Sequence, residues 1–144
     1  MKKLYKLTLV ALCASIFFVM SIATSIATEK RALQKLAVIA VLMEARGWDF
    51  RDKASGDYLS EGESYVIRTT LLRGNTYKII AAGDDSVEDL DIILYDENAN
   101  EIDRDTQTDS LPVVDVAPKW TGVFYIKIKM YKGSGHSKFV VFYQ

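Results

Sequence analysis

Carboxylates crowd the segment from Gly83 to Asp105, GDDSVEDLDIILYDENANEIDRD. Eleven acidic residues lie from Asp84 to Asp109, against one basic residue, Arg104. Such a density suits a hard divalent cation, since calcium takes about six to eight oxygen ligands and accepts carboxylates from alternate positions. Asp84, Asp85, Glu88, Asp89 and Asp91 occupy a loop and the strand it feeds. Carboxylates this close repel one another unless water or a cation screens them. The candidate calcium ligands are Asp84, Asp85, Asp89 and Asp91, and the competing reading is a solvated acidic loop. Further on, Asp96-x-Asn98-x-Asn100 opens like an EF-hand loop, but Glu101 stands where glycine is required and Gln107 where glutamate is. That run reads as a turn, because Asp and Asn hydrogen-bond their own backbone and tolerate left-handed conformations.

A second constellation is Tyr125-Lys127-Lys129-Tyr131. Alternation places two tyrosines and two lysines on one strand face, a stripe that suits stacking on a sugar ring or contact with an acidic protein edge. The plainer reading is a solvated outer face with cross-strand Tyr and Lys pairs. Catalytic chemistry finds no foothold. His136 is the one histidine, which removes a two-histidine zinc site, and any Ser-His-Asp triad would have to use it. It stands in GSGHS, which is neither a nucleophile elbow nor a phosphate loop, and reads as a turn residue. No acid pair stands out for glycosidase work. No catalytic residues are assigned, and the expectation is a non-enzyme.

These residues need a compartment and a scaffold. Lys2, Lys3 and Lys6 precede the uncharged apolar run Leu7 to Met20, followed by SIATSIAT, with cleavage points after Ala23 and Ala27. A basic start, an apolar centre and small residues at the end make residues 1–27 a signal peptide, with cleavage after Ala27 preferred. The alternative is a retained anchor, since Leu7 to Thr28 carries no charge and is long enough to span a bilayer. Cys13 is the one cysteine and lies inside that segment, so the remainder uses no disulfide and must rest on its core. Three of the eighteen basic residues and none of the nineteen acidic ones fall in residues 1–27, which leaves a charge of about −4 on the remainder. An acidic balance argues against nucleic acid, which requires a basic surface.

Residues 28–47 read as a helix, with Thr28 at its start and Gly47 closing it. LAVIAVLM, Leu36 to Met43, is apolar all round, so this helix is packed on the domain or a partner, or lies at a membrane or self-association surface. Residues 48–63 read as a linker, with Trp48 and Phe50 tethering the helix. From Ser64 the chain turns to strands rich in β-branched residues: SYVIRTTLL, TYKIIAAG, DLDIILYD, EIDRD, LPVVDVAP, GVFYIKIKMY and, after a hairpin turn at KGSGHS, KFVVFYQ. Seven to eight short strands predict an all-β antiparallel sandwich over residues 64–144. Leu90, Ile92 and Leu94, with Phe124, Ile126, Ile128 and Met130, are the predicted inward faces. Trp120 caps one end.

From Leu72 onward the sequence resembles the bacterial pre-peptidase C-terminal domain family. The resemblance rests on Gly74 with Tyr77, on Asp89-Leu90-Asp91 with Tyr95-Asp96, and on Gly122 with Phe124-Tyr125, and covers residues 58–144. It implies a jelly-roll-like β-sandwich acting as an accessory module of secreted proteins, some of whose relatives bind calcium, collagen or carbohydrate. The expected departure from that family's usual arrangement is a signal peptide and one helix, rather than a peptidase, ahead of the domain. The reading is an exported module, periplasmic or at the cell surface. Its expected partner is a protein or glycan of the envelope or exterior, and a membrane only if the N-terminal helix is retained.

Overall fold

The computed structural model describes residues 28–51 and 54–144. The signal peptide, its cleavage points and Cys13 lie outside the described residues. A helix, α1, occupies 28–44, and a turn follows over 45–47. Its end is a Schellman closure: Trp48 N–H donates to Met43 O at 3.1 Å and Gly47 N–H to Glu44 O at 3.0 Å. Gly47 takes φ +84° there, where a side chain would be strained.

Nine strands follow among the described residues: β1 (Asp49–Phe50), β2 (Tyr58–Leu59), β3 (Ser64–Leu71), β4 (Tyr77–Gly83), β5 (Val87–Asp96), β6 (Glu101–Asp105), β7 (Val113–Val116), β8 (Gly122–Gly133) and β9 (Gly135–Tyr143). They form an antiparallel sandwich of two sheets. One has the order β1-β9-β4-β7, with β2 also on β9; the other is β3-β8-β5-β6. Two expectations are corrected. The segment read as a linker supplies β1, β2 and a bridge from Ser55 to Phe139, all along the edge of β9. The turn at KGSGHS is a corner, not a hairpin, because β8 and β9 belong to different sheets. From β3 onward, β5 to β6 is the one connection that stays within a sheet.

Between the sheets lies the core, and alternation assigned its faces. Leu90, Ile92 and Leu94 of β5 and Ile126, Ile128 and Met130 of β8 are fully buried, as is nearly all of Phe124. They meet Ile79, Ala81 and Val141 of the opposing sheet. Trp120 stacks on Phe124 with ring centroids 5.6 Å apart, and its Nε1 donates to Glu97 Oε2 at 3.0 Å, closing one end. Tyr77 of the family-like motif is buried too, and its hydroxyl accepts from Leu72 N–H at 3.0 Å and Asn75 Nδ2 at 3.2 Å.

The helix covers the outer face of the β9/β4 sheet. Leu36 and Met43 are buried against Ile80, Ala82, Val140 and Phe142, with Trp48 alongside. Phe50 meets Phe142 edge-on, at 4.9 Å between centroids. Polar contacts fix the helix in register: Glu29 pairs with Lys138 at 2.7 Å, and Lys35 Nζ donates to Gly83 O at 2.7 Å. Val38, Val41 and Leu42 remain exposed on its far side. No described helix is long and apolar enough to cross a membrane. Leu36→Ala is expected to cost about 2–3 kcal/mol in urea unfolding, the usual loss for a buried leucine that leaves a cavity. A change within error would mean that the helix contributes no stability to the sheet beneath it.

Candidate binding face and acidic hollow

Strand β8 runs through the middle of the second sheet, between β3 and β5. Period-2 alternation sends Phe124, Ile126, Ile128 and Met130 inward, so Tyr125, Lys127, Lys129 and Tyr131 face out. Register assembles their neighbours. Tyr125 lies between Arg68 and Tyr95, Lys127 between Val66 and Ile93, and Lys129 between Ser64 and Asp91. The sequence stripe is therefore the spine of a wider surface. Val66 is 58% and Tyr131 59% exposed, so this face is open, whereas the opposite sheet is covered by α1.

Charge on the open face is unbalanced. Arg104 pairs with Glu101 at 2.9 Å, and the Lys129 ammonium sits over the Tyr131 ring, 5.2 Å from its centroid. Arg68 and Lys127 take part in no ion pair among the described residues. The result is a flat surface of tyrosine and aliphatic side chains holding cations ready for an anionic contact. Sequence alone did not indicate Arg68, Val66, Ile93 or Tyr95, because only strand register brings them beside the stripe.

The four predicted metal ligands fall into three settings. Asp84 is buried and fully engaged: Oδ1 accepts from Ser86 N–H and Oδ2 from His136 N–H, both at 2.9 Å. Gly135 makes room for it, since a Cβ there would lie 2.4 Å from Asp84 Oδ1. Asp85 faces the helix, 3.7 Å from both Arg31 and Lys35. Asp89, between two register shifts at the start of β5, and Asp91, just past them, stay together. They line a hollow of about 330 Å³ with Thr106, Thr108 and Tyr131. No three His, Cys, Asp or Glu side chains converge as metal ligands among the described residues. Burial, and then the charge of Asp89, raise the Asp91 pKa; Lys129 opposes this and Asp105 adds to it.

Asp96 keeps the role of a turn former. Its Oδ1 accepts from Asn98 N–H and Asn100 N–H at 2.8 Å, and Oδ2 from Asn100 Nδ2 at 2.9 Å. The Asn100 side-chain bond, followed by the backbone bonds, lowers its pKa against the opposing effect of burial. A depressed folded pKa adds stability above the unfolded value of about 3.9, and that stability is lost as pH falls through the folded value. Asp96→Asn should thus be less stable than the parent at pH 7 and equal to it near about pH 2, read by urea unfolding. A gap that persists in acid would show that the charge is not its source.

His136 packs edge-on against Tyr58, with centroids 5.3 Å apart, on β9 rather than in a turn. No protein-family model matches the sequence, and no curated protein matches it either. Solved structures do match. The pre-peptidase C-terminal domain of a Bacillus anthracis collagenase superposes with a TM-score of 0.52 at 14% identity, over 62% of this chain and 88% of that one. This chain shares the β-sandwich fold of that domain. A periplasmic inhibitor of g-type lysozyme from Aeromonas hydrophila shares the sandwich, with a TM-score of 0.50 at 13% identity over 64% of this chain and 85% of that one. At these identities the likeness is one of fold.

Proposed function

We propose that this chain is an exported, non-catalytic binding module that docks an acidic protein surface on the open face of the β3-β8-β5-β6 sheet. The observation that carries this reading is the pairing of Arg68 and Lys127, neither in an ion pair among the described residues, with the exposed Val66 and Tyr131. Aromatic and arginine side chains on a flat open sheet are the composition that interfaces favour. One sheet is closed by the helix, which leaves the other for a partner. The fold supports the reading further, since it also serves a lysozyme inhibitor and a pre-peptidase C-terminal domain of a collagenase. The periplasmic inhibitor, with the basic and apolar start of this sequence, supports export to the periplasm or exterior.

The test is co-purification from an envelope fraction with the parent chain and with Arg68→Glu/Lys127→Glu. The parent should retain an acidic protein that the double variant loses, and equal retention would overturn the reading. A glycan partner is the second reading, favoured by Tyr95 lying directly beside Tyr125. Against it, Lys129 already occupies one face of the Tyr131 ring. On a glycan array, the sugar reading requires a signal that Tyr125→Ala/Tyr131→Ala removes. Signals equal in both forms, or absent from both, would discard it.

A further inference from the structure

We propose that the free edge of β3 receives an extended acidic segment of the docked protein, which adds to the sheet as one more strand. The inference rests on the docking reading above and names the form in which the partner arrives. The other edges of the sandwich are closed or interrupted. Two-residue strands β1 and β2, with the bridge from Ser55, run along β9. On β7, Val113 N–H donates to Asp105 Oδ2 at 2.9 Å and Asp115 N–H to Asp103 Oδ2 at 3.0 Å. Strand β6 is five residues long, with three carboxylates and a register shift against β5. Such devices keep an edge from pairing with another chain. Strand β3 lacks that protection. It pairs with β8 over eight residues, Ser64 to Leu71, without a register shift, and holds no proline and one charge, Arg68.

Antiparallel pairing decides which backbone groups of β3 are left over. Met130 N–H donates to Glu63 O at 2.9 Å, so the bonds to β8 come from residues 65, 67, 69 and 71. Leu72 N–H points the other way and reaches the Tyr77 hydroxyl. Ser64, Val66, Arg68 and Thr70 therefore turn their N–H and C=O groups to the free edge, where no strand pairs with them among the described residues. Their side chains are also the exposed ones of β3. A strand added here sets its alternate side chains beside Val66 and Arg68, continuous with the open face. At Thr70 the edge meets a hollow of about 300 Å³, with Phe50, Arg51, Leu72 and Tyr143 in its walls. The Arg51 guanidinium lies over the Tyr77 ring, 5.7 Å from its centroid. Strand addition draws affinity from the backbone and specificity from such pockets. Cations at Arg68 and Arg51 select carboxylates. A second copy of this chain fits less well, because pairing about the middle of β3 sets two Arg68 side chains diagonally across from one another.

The probe is a capped eight-residue peptide of alternating glutamate and valine, with a lysine and valine peptide as its counterpart. Amide hydrogen exchange, read residue by residue by NMR on the parent chain, separates strand addition from contact with the face alone. Saturating glutamate peptide should slow exchange at least about tenfold at Val66 and Arg68. Residues 65, 67 and 69, bonded to β8, should exchange slowly with or without it. Val66→Pro removes one edge donor where proline is tolerated, and should weaken the peptide at least about tenfold. Val66→Thr, which keeps the donor, should bind like the parent, and the lysine peptide should not bind. Peptide that shifts Lys127 and Lys129 while the Val66 and Arg68 amides exchange as before would overturn strand addition and leave docking on the face intact. No response at roughly 5 mM peptide would overturn it too. Equal binding of both peptides would overturn the acidic class. A chain that dimerises without peptide, and fails to as Val66→Pro, would give the edge to a second copy. Failure of the docking reading shows separately, as partner retention by Arg68→Glu/Lys127→Glu.

Discussion

Asp84→Ala is expected to cost about 3–5 kcal/mol, much of the stability of a domain this size. The side chain is 1% exposed and joins two corners of the sandwich. Its Oδ1 holds the β4-to-β5 corner through Ser86 N–H, and its Oδ2 holds the β8-to-β9 corner through His136 N–H. The backbone adds Asp84 N–H to His136 O at 2.9 Å and Val87 N–H to Asp84 O at 3.2 Å. Alanine would strand two backbone donors, each costing about 1–3 kcal/mol where water cannot replace the oxygen. Asp84→Asn keeps one carbonyl oxygen and should fall between the two. Urea unfolding reads the difference, and a loss under about 1 kcal/mol would contradict this role.

The second large effect concerns the open face. Arg68→Glu/Lys127→Glu should weaken binding of the co-purified partner at least about a hundredfold, or about 2.7 kcal/mol. The parent complex should also lose affinity as salt rises, because the cations that meet the partner are near the surface. Both side chains sit on an outward face, so urea unfolding of the double variant should stay within about 0.5 kcal/mol of the parent. Weakened binding with unchanged stability separates docking from folding. Intact binding would move the partner to another surface.

Much of the fold was legible because a strand has a period of two. Leu90, Ile92 and Leu94 could be assigned inward from DLDIILYD alone, and the same held for Phe124 to Met130. The two-residue strands β1 and β2 were not legible. They carry little β pattern of their own and exist because β9, at the far end of the chain, offers an edge. GSG serves a hairpin or a corner equally, so the change of sheet at Gly133 to Gly135 could not be read either.

The acidic stretch shows the same limit at the site. Alternation puts Asp91 on the outer side of β5, where a strand side chain ordinarily meets water. The loop between β6 and β7 folds over that side, and its contact with Leu90 N–H leaves Asp89 and Asp91 buried. Sequence proximity grouped Asp84 and Asp85 with them, although backbone donors engage the first and helix cations the second. The Tyr125-Lys127-Lys129-Tyr131 stripe was legible as a face, but its flanks were not, since pairing partners come from β3 and β5.

Site-specific photo-crosslinking in the envelope tests the docking claim most directly. A photoreactive side chain replaces Val66 on the open sheet face or, separately, Val41 on the exposed side of α1. The account predicts one dominant acidic partner crosslinked from position 66, abolished when Lys127→Glu is added, and little from position 41. Crosslinks from position 41 alone, or from position 66 regardless of Lys127, would contradict it.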